Sequence, residues 1–502
     1  MTIETEERKT DLIETVAQSV AKDGDGAERF VRLLYADVAP GDLMGDTPEN
    51  LRGAATGLWG FLAERTPGQP SVRVFTPVQA THGWSSPHTV VEVLTVDMPF
   101  LVDSVTGFLN GAEAEVQLVI HPILNVDRDE RGRLRRLAGR REDGTRESCM
   151  HLRIAAQPTE RHAALLDGVR RVLGDVRAAV SDWAALRERC KEHATRVEAN
   201  PGKRPADEVK EVSTFLRWLE ANHFTFLGFR EVRIETDRAH VVAGSGLGIL
   251  RDEKTTVFDG LITGGKPPAE IFQPGLLRVT KANRRSTVHR TAHLDAVGIK
   301  SLDADGRVVG ESLFVGLFTS TAYARTAREI PVIKRKVDQV LARSGYSPRS
   351  HNYKTLLHLL DSYPRDELFQ ITEDELFPIA LGILRLQQRR RIAFFPRVDP
   401  FGRFVSCLVY APRDNYGTGL RVRFQEVLAD AFGGKIAAFY THLTDEPLAR
   451  LHFIVSTTPD ALLRFDTAEI ERRLVEAGRS WGERLREALV RARGEEAGLI
   501  AY

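Results

Sequence analysis

The sequence predicts an α+β chain in which two small sheet-and-helix modules flank a middle antiparallel sheet, and three observations carry that prediction. An apolar strand runs into an amphipathic helix across Val91–Asn110. The same order recurs near the C-terminus, and a run of alternating strands lies between the two copies. In the first copy Leu101, Val105, Phe108, Leu109 and Ala112 follow the spacing i, i+4, i+7, i+8, i+11, which gathers them on one helical face. Leu420, Phe424, Val427, Leu428 and Ala431 repeat it after the strand Phe404–Ala411 and the turn Pro412-Arg-Asp-Asn415.

Each helix is followed by two strands and a second helix. The first copy continues with 115–126, an arginine-rich turn, the strand 150–156 and a helix over about 160–180. The second continues with 435–443, the turn 444–447, the strand 450–456 and a helix over about 467–477. A further strand precedes each copy, at Val72–Thr76 and Ile392–Val398. Helices of period 3.6 alternating with hairpinned strands form a ferredoxin-like layer, a split βαβ arrangement of helices on an antiparallel sheet. At the first helix start, Asp97 is expected to cap, Pro99 to occupy the first turn, and Asp103 to lie at the positive end of the helix dipole.

Composition bounds the function. The chain of 502 residues is 42% hydrophobic, enough for about three domains of roughly 150 residues. Seventy basic against 69 acidic residues leave a formal charge of +1, so no overall field draws in nucleic acid or an anionic membrane. Cys149, Cys190 and Cys407 are far apart and form no CxxC pair, which argues against a disulfide framework or structural zinc and for a reducing, cytoplasmic setting. The N-terminus has no apolar leader and no run approaches 18 apolar residues.

The expected organisation is a helical arm over 1–69, a first module over 70–200, a middle sheet over 205–325, a helical linker over 326–390, a second module over 391–480 and the start of a helical region over 481–502. The linker is read as helices over about 324–344, 351–362 and 372–390. Strands are expected in the middle module at 225–234, 276–280, 286–290, 295–302 and 307–319, the last two joined by the turn Asp303-Ala-Asp-Gly306.

No catalytic constellation emerges. Gly244-Ser-Gly-Leu-Gly248 has neither the G-x-G-x-x-G spacing nor a following Lys-Ser/Thr and reads as a turn, and Asp303–Gly306 lacks the remaining ligands of a calcium loop. His289, His293, His351 and His442 form no metal or nucleophile–base pattern. The arginines at 128, 131, 133, 135, 136, 140 and 141 are diluted by acidic neighbours and, like Arg389–Arg391, read as a solvated surface. Asp361–Phe369 and Pro412–Asn415 read first as helix caps with surface ion pairs. They leave open the capture of a zwitterion, with arginine holding a carboxylate and aspartate an ammonium.

Six segments in order, Phe30–Leu43, Asp97–Val105, Phe224–Glu231, Phe314–Ser320, Pro364–Gln370 and Tyr410–Asp414, resemble the N-terminal region of the large bacterial NAD-specific glutamate dehydrogenases. The resemblance implies two ACT-like domains around a PAS-like domain. It also implies a parent enzyme that converts L-glutamate and NAD to 2-oxoglutarate, ammonia and NADH, with NAD held by a dehydrogenase domain of the same polypeptide that no segment here matches. On this reading the chain is a truncated, by itself inactive regulatory and oligomerising region, without a cofactor or metal of its own and without nucleic-acid or membrane partners. An amino-acid effector is expected near Asp97, Asp103 and Ser104 or near Arg413, Asp414 and Asn415. The alternatives are a ligand-free scaffold for subunit assembly, a stand-alone amino-acid sensor, and a nucleic-acid-binding protein that the neutral charge disfavours.

Overall fold

The computed structural model describes residues 3–138, 144–258, 265–267, 269–272, 275–386, 389–457, 465–479 and 481–502. Arg140 and Arg141 of the arginine run lie outside them. The chain forms two compact units, one of 1–193, 224–267 and 281–319, the other of 194–223, 268–280 and 320–502.

In the first unit the helices α1 (Ile3–Ser19), α2 (Ala27–Tyr35), α3 (Pro40–Met44) and α4 (Pro48–Leu62) precede the strand β1 (Ser71–Phe75), the single turn α5 (Gln79–His82) and β2 (Thr89–Val96). Then come α6 (Leu101–Gly111), β3 (Val116–Ile120), β4 (Ile123–Arg128), β5 (Leu134–Leu137), β6 (Thr145–Ile154) and α7 (Thr159–Ser181). The sheet order is β1-β2-β6-β4-β5, with β3 also on β6. The segment 115–126, expected as one strand, is two: β3 pairs with the 151–154 end of β6, and β4 with its 145–148 end. Pro122, which can donate no ladder hydrogen bond, lies at the break.

β2 and β6 are buried almost without alternation, the signature of a sheet covered on both faces. Leu94, Leu124, Val126 and Cys149 join Val16, Phe30, Leu34 and Leu58 of the arm in one core. The alternate residues Val91, Val93, Met150 and Leu152 are equally buried, on the side of α6 and α7. Gly168 of α7 is required there, because a Cβ would fall 1.9 Å from the Phe108 ring of α6. Gly174 of the same helix has nothing within 4 Å of its would-be Cβ, although glycine in a helix interior costs about 1 kcal/mol relative to alanine.

The middle sheet follows α8 (Trp183–Ala199), whose first part to His193 belongs to this unit, and α9 (Ala206–Trp218), which belongs to the other. It is built from β7 (Phe224–Glu235), β8 (Arg238–Val241), β9 (Leu247–Gly248), β10 (Leu277–Arg285), β11 (His293–Leu302) and β12 (Val308–Phe318), in the order β10-β11-β12-β7-β8 with β9 on β7. Residues 286–290 form a turn rather than the expected strand. The Ser286 Oγ accepts the Val288 N–H, and His289 takes a left-handed φ of 68°. Of Gly244–Gly248, expected as a turn, Gly244 lies in one, and Leu247–Gly248 beyond it pair with β7 as β9. At Gly248, with φ 59°, a Cβ would fall 2.1 Å from the Leu227 carbonyl oxygen, and its N–H donates to Asp182. At Asp303 the carboxylate accepts the N–H groups of Asp305 and Arg307, closing the turn.

In the second unit the expected helix over 324–344 is broken. Its parts are α10 (Ser320–Ala324), a short 3₁₀ turn boxed by Thr326 and Glu329, and α11 (Ile333–Arg343), which begins beyond Pro331. There follow α12 (His351–Ser362), α13 (Arg365–Gln370), not anticipated as a separate helix, and α14 (Glu373–Leu386). The second module comprises β13 (Ala393–Val398), β14 (Phe404–Pro412), α15 (Thr418–Ala431), β15 (Lys435–His442), β16 (Leu448–Ser456) and α16 (Thr467–Gly478), before α17 (Trp481–Arg493) and α18 (Glu495–Ala501).

Its antiparallel order β13-β14-β16-β15 matches β1-β2-β6-β3/β4 strand for strand. Both are ferredoxin-like layers in which the strand ahead of the repeat fills the outer place beside the first strand of the βαββα core. Leu420, Phe424 and Leu428 of α15 and Ile470 and Leu474 of α16 bury one face with Val405, Val409, Leu451 and Phe453.

Candidate functional site

At the first module the chain leaves β2 with the Asp97 N–H still donating to the Arg146 carbonyl, so Asp97 ends the strand instead of capping the helix. Pro99 falls in the connection, and α6 starts at Leu101 after Phe100, a non-glycine residue with φ 74°. Asp103 does lie in the first turn. The Asp97 carboxylate pairs with Arg146 at 3.2 Å. Asp103 reaches His289 Nδ1 at 3.3 Å, and Ser104, buried, accepts the His289 N–H at 2.9 Å while donating to the Phe100 carbonyl. The Phe100 and His289 rings pack at 5.0 Å. Gly107 lets Thr291 approach, since a Cβ there would meet the threonine methyl at 3.0 Å. Side chains at this helix start thus hold the 286–291 turn of the middle sheet.

The corresponding place in the second module is open. Arg413–Asn415 form a 3₁₀ turn between β14 and α15. Arg413 faces Asp445 at 3.6 Å, and Asp414 accepts from Arg390 at 2.9 Å, an exposed pair of small energetic value. Asn415 borders a cleft of about 530 Å³. Arg390, Arg391 and Arg486 line the same cleft, with Glu483 and Glu495 beside them and Val475, Val490 and Leu499 supplying apolar wall. Guanidinium, carboxylate and hydrocarbon together could receive a zwitterion.

A buried ionic network lies behind this module and was not legible in the sequence. Arg397 of β13 and Glu367 of α13 form a two-bond pair, at 2.7 and 3.0 Å, with both side chains 3% exposed. His452 Nε2 bonds Ser406 at 2.8 Å. Burial alone would raise the Glu367 carboxyl, but the charge and hydrogen bonds of Arg397 outweigh it and hold the group below its ordinary value. Burial lowers His452, which is therefore neutral near pH 7. Lys336 of α11 donates to the Leu368, Phe369 and Ile371 carbonyls, and burial pushes its ammonium down to about 8. The motif Pro364-Arg-Asp-Glu-Leu-Phe369 announced Glu367, but its partner stands 30 residues away. Among the described residues no group of three His, Cys, Asp or Glu could hold a metal, and no helix is long and apolar enough to cross a membrane.

Three family models match: the glutamate dehydrogenase ACT1 domain over residues 30–169, helical motif 1 over 330–389 and the ACT2 domain over 393–482. This chain belongs to the NAD-specific glutamate dehydrogenase family. It corresponds to the N-terminal region of that family. It is 36% identical to the NAD-specific glutamate dehydrogenase of Halomonas elongata, over 98% of this chain and 32% of that protein. It is 38% identical to that of Pseudomonas aeruginosa, over 94% and 29%. The Mycobacterium tuberculosis relative is 32% identical over 77% of this chain and 24% of that protein. The chain thus spans about a third of the length of the first two relatives. The two sheet-and-helix modules are its ACT domains, and α11 to α14 fall in its helical motif.

The Glu367–Arg397 pair generates a prediction. Arg397→Met leaves a buried carboxylate unpaired and should cost about 3–5 kcal/mol of unfolding free energy, whereas Arg397→Met with Glu367→Leu should recover most of it. Because the folded carboxyl is depressed, the pair stabilises fully above the ordinary carboxylate value and less as pH falls through the folded one. Urea titrations of the wild type and both variants between pH 7 and acid measure this. Equal loss in the single and double variants would contradict it.

Proposed function

We propose that this chain is a regulatory and assembly region of an NAD-dependent glutamate dehydrogenase. On this reading the conversion of L-glutamate and NAD to 2-oxoglutarate, ammonia and NADH is carried out, and NAD bound, by a dehydrogenase domain elsewhere in the same cytoplasmic polypeptide. The observation that carries it is the pairing of two ACT domains with the match to only about a third of each enzyme. The glycine turn at 244–248 supports the same division of labour, since it closes on the Leu227 backbone and opens no helix. The middle antiparallel sheet we read as PAS-like, on its five-strand path.

Of the two places expected to bind an effector, the open cleft beside Asn415 is favoured for an amino acid, and the first is favoured as a scaffold because its polar groups already hold the 286–291 turn. Assembly has its own support. β15 (Lys435–His442) is the edge of its sheet, in steady register with β16 from Ala438 to His442, with Phe439 and Tyr440 45% and 59% exposed. The equivalent strand of the first module is interrupted and flanked by β5. A long exposed apolar edge is a surface that natural sheets otherwise protect, and a second copy of the chain could pair with it.

Three outcomes test the proposal. The purified chain should form no NADH from glutamate and NAD in a spectrophotometric assay, and turnover would reveal a dehydrogenase site within these residues. Calorimetric titration with a panel of amino acids should give binding that Asn415→Ala and Arg391→Ala weaken. Silence across the panel would leave assembly alone. Light scattering should show a dimer or larger species that Tyr440→Lys reduces, and a monomer at high concentration would remove the assembly reading.

A further inference from the structure

Helix α7 carries an unpaired basic feature on the first unit. Arg170 and Arg177 are two turns apart, seven residues, and therefore share a face. They line a cavity of about 420 Å³ with Gln69, Pro70, Leu173 and Gly174, and no acidic residue contributes to its wall. Among the described residues neither guanidinium has a carboxylate within ion-pair distance. The nearby Asp175 is taken by Arg284 and Thr287.

The opposite wall is preorganised. Arg65, held in a buried pair with Glu147, donates to the Gln69 carbonyl and fixes the 66–69 turn, and Arg177 donates to the carbonyl of Gly68. Gly174 stands between the arginines with nothing for a Cβ to strike, so close packing does not account for it. Its missing side chain leaves the space between the two cations clear. Two like charges lining one cavity, at a helix position that forgoes helix propensity, make a place for an anion.

We propose that this cavity binds a compact dianion, a phosphate group or a short dicarboxylate, between Arg170 and Arg177. The site is independent of the cleft beside Asn415, so it stands or falls separately from the amino-acid reading. Two charges match two guanidinium groups, and the wall of Gln69, Pro70 and Leu173 offers no carboxylate to balance an ammonium. The occupant is thus an anion and not a zwitterion.

The test is calorimetric titration of the whole chain with inorganic phosphate, with a nucleoside monophosphate and with succinate, against chloride at equal ionic strength. Saturable binding of at least one dianion is expected, weakened about tenfold or more by Arg170→Gln, which removes one of the two guanidinium anchors. Gly174→Ala places a methyl group in the cavity. It should weaken binding as well while leaving the melting temperature unchanged or higher, a combination that a structural role for the glycine would not produce. Phosphate binding without succinate binding, or the reverse, supports the site and identifies the source of the dianion. No saturable binding by any dianion, equal competition by chloride, or binding unaffected by both variants would overturn it.

Discussion

A sheet with two apolar faces cannot stand with helices on one side only, and this constraint governs both ACT domains. β2 and β6 in the first, and β14 in the second, are buried along nearly their whole length. A ferredoxin-like layer supplies two helices for one face, and the other must be covered by something added. In the first unit the addition is the four-helix arm, whose Phe30, Leu34 and Leu58 close over Leu94 and Cys149. In the second it is the helical motif, which reaches the sheet through Glu367 on Arg397, Arg450 on the Ser362 carbonyl, and Gly382 against the Phe395 ring.

The two added layers solve the problem with different chemistry. The arm meets its sheet through hydrocarbon, with ionic groups such as Arg73–Glu92–His151 and Arg65–Glu147–Arg128 embedded in the same face. Each of these carboxylates is fully buried and keeps more than one cationic or imidazole partner, as desolvated charge requires. The helical motif meets its sheet through a paired charge and a neutral histidine. Such pairs add little net stability over hydrocarbon but penalise any shifted docking that separates them.

The duplication is one of architecture and not of contacts. At the start of α6, Asp103, Ser104 and the left-handed Phe100 grip His289 and its turn, so that helix end joins an ACT domain to the middle sheet. At the start of α15 the corresponding turn borders open space lined by arginines and glutamates. Two non-glycine residues with positive φ, Phe100 and His289, meet at the first contact, and conformations of that cost persist only where surrounding bonds over-determine them.

Legible in the residues alone were the repeated order of strands and helices, the helical faces led by Leu101 and Leu420, the turns at Gly244 and 303–306, and the family. Those features are written in local periodicity, in glycine and proline placement, and in short ordered motifs, all of which act over a few residues. Long-range packing settles the rest: Asp97 ends a strand, 286–290 is a gripped turn, 115–126 is two strands, and Arg397 answers Glu367. Each depends on a partner far along the chain: Arg146 for Asp97, Ser104 for His289, β6 for the broken strand. No local propensity encodes which distant group a carboxylate or backbone N–H will find, because that choice is made when two apolar faces are brought together.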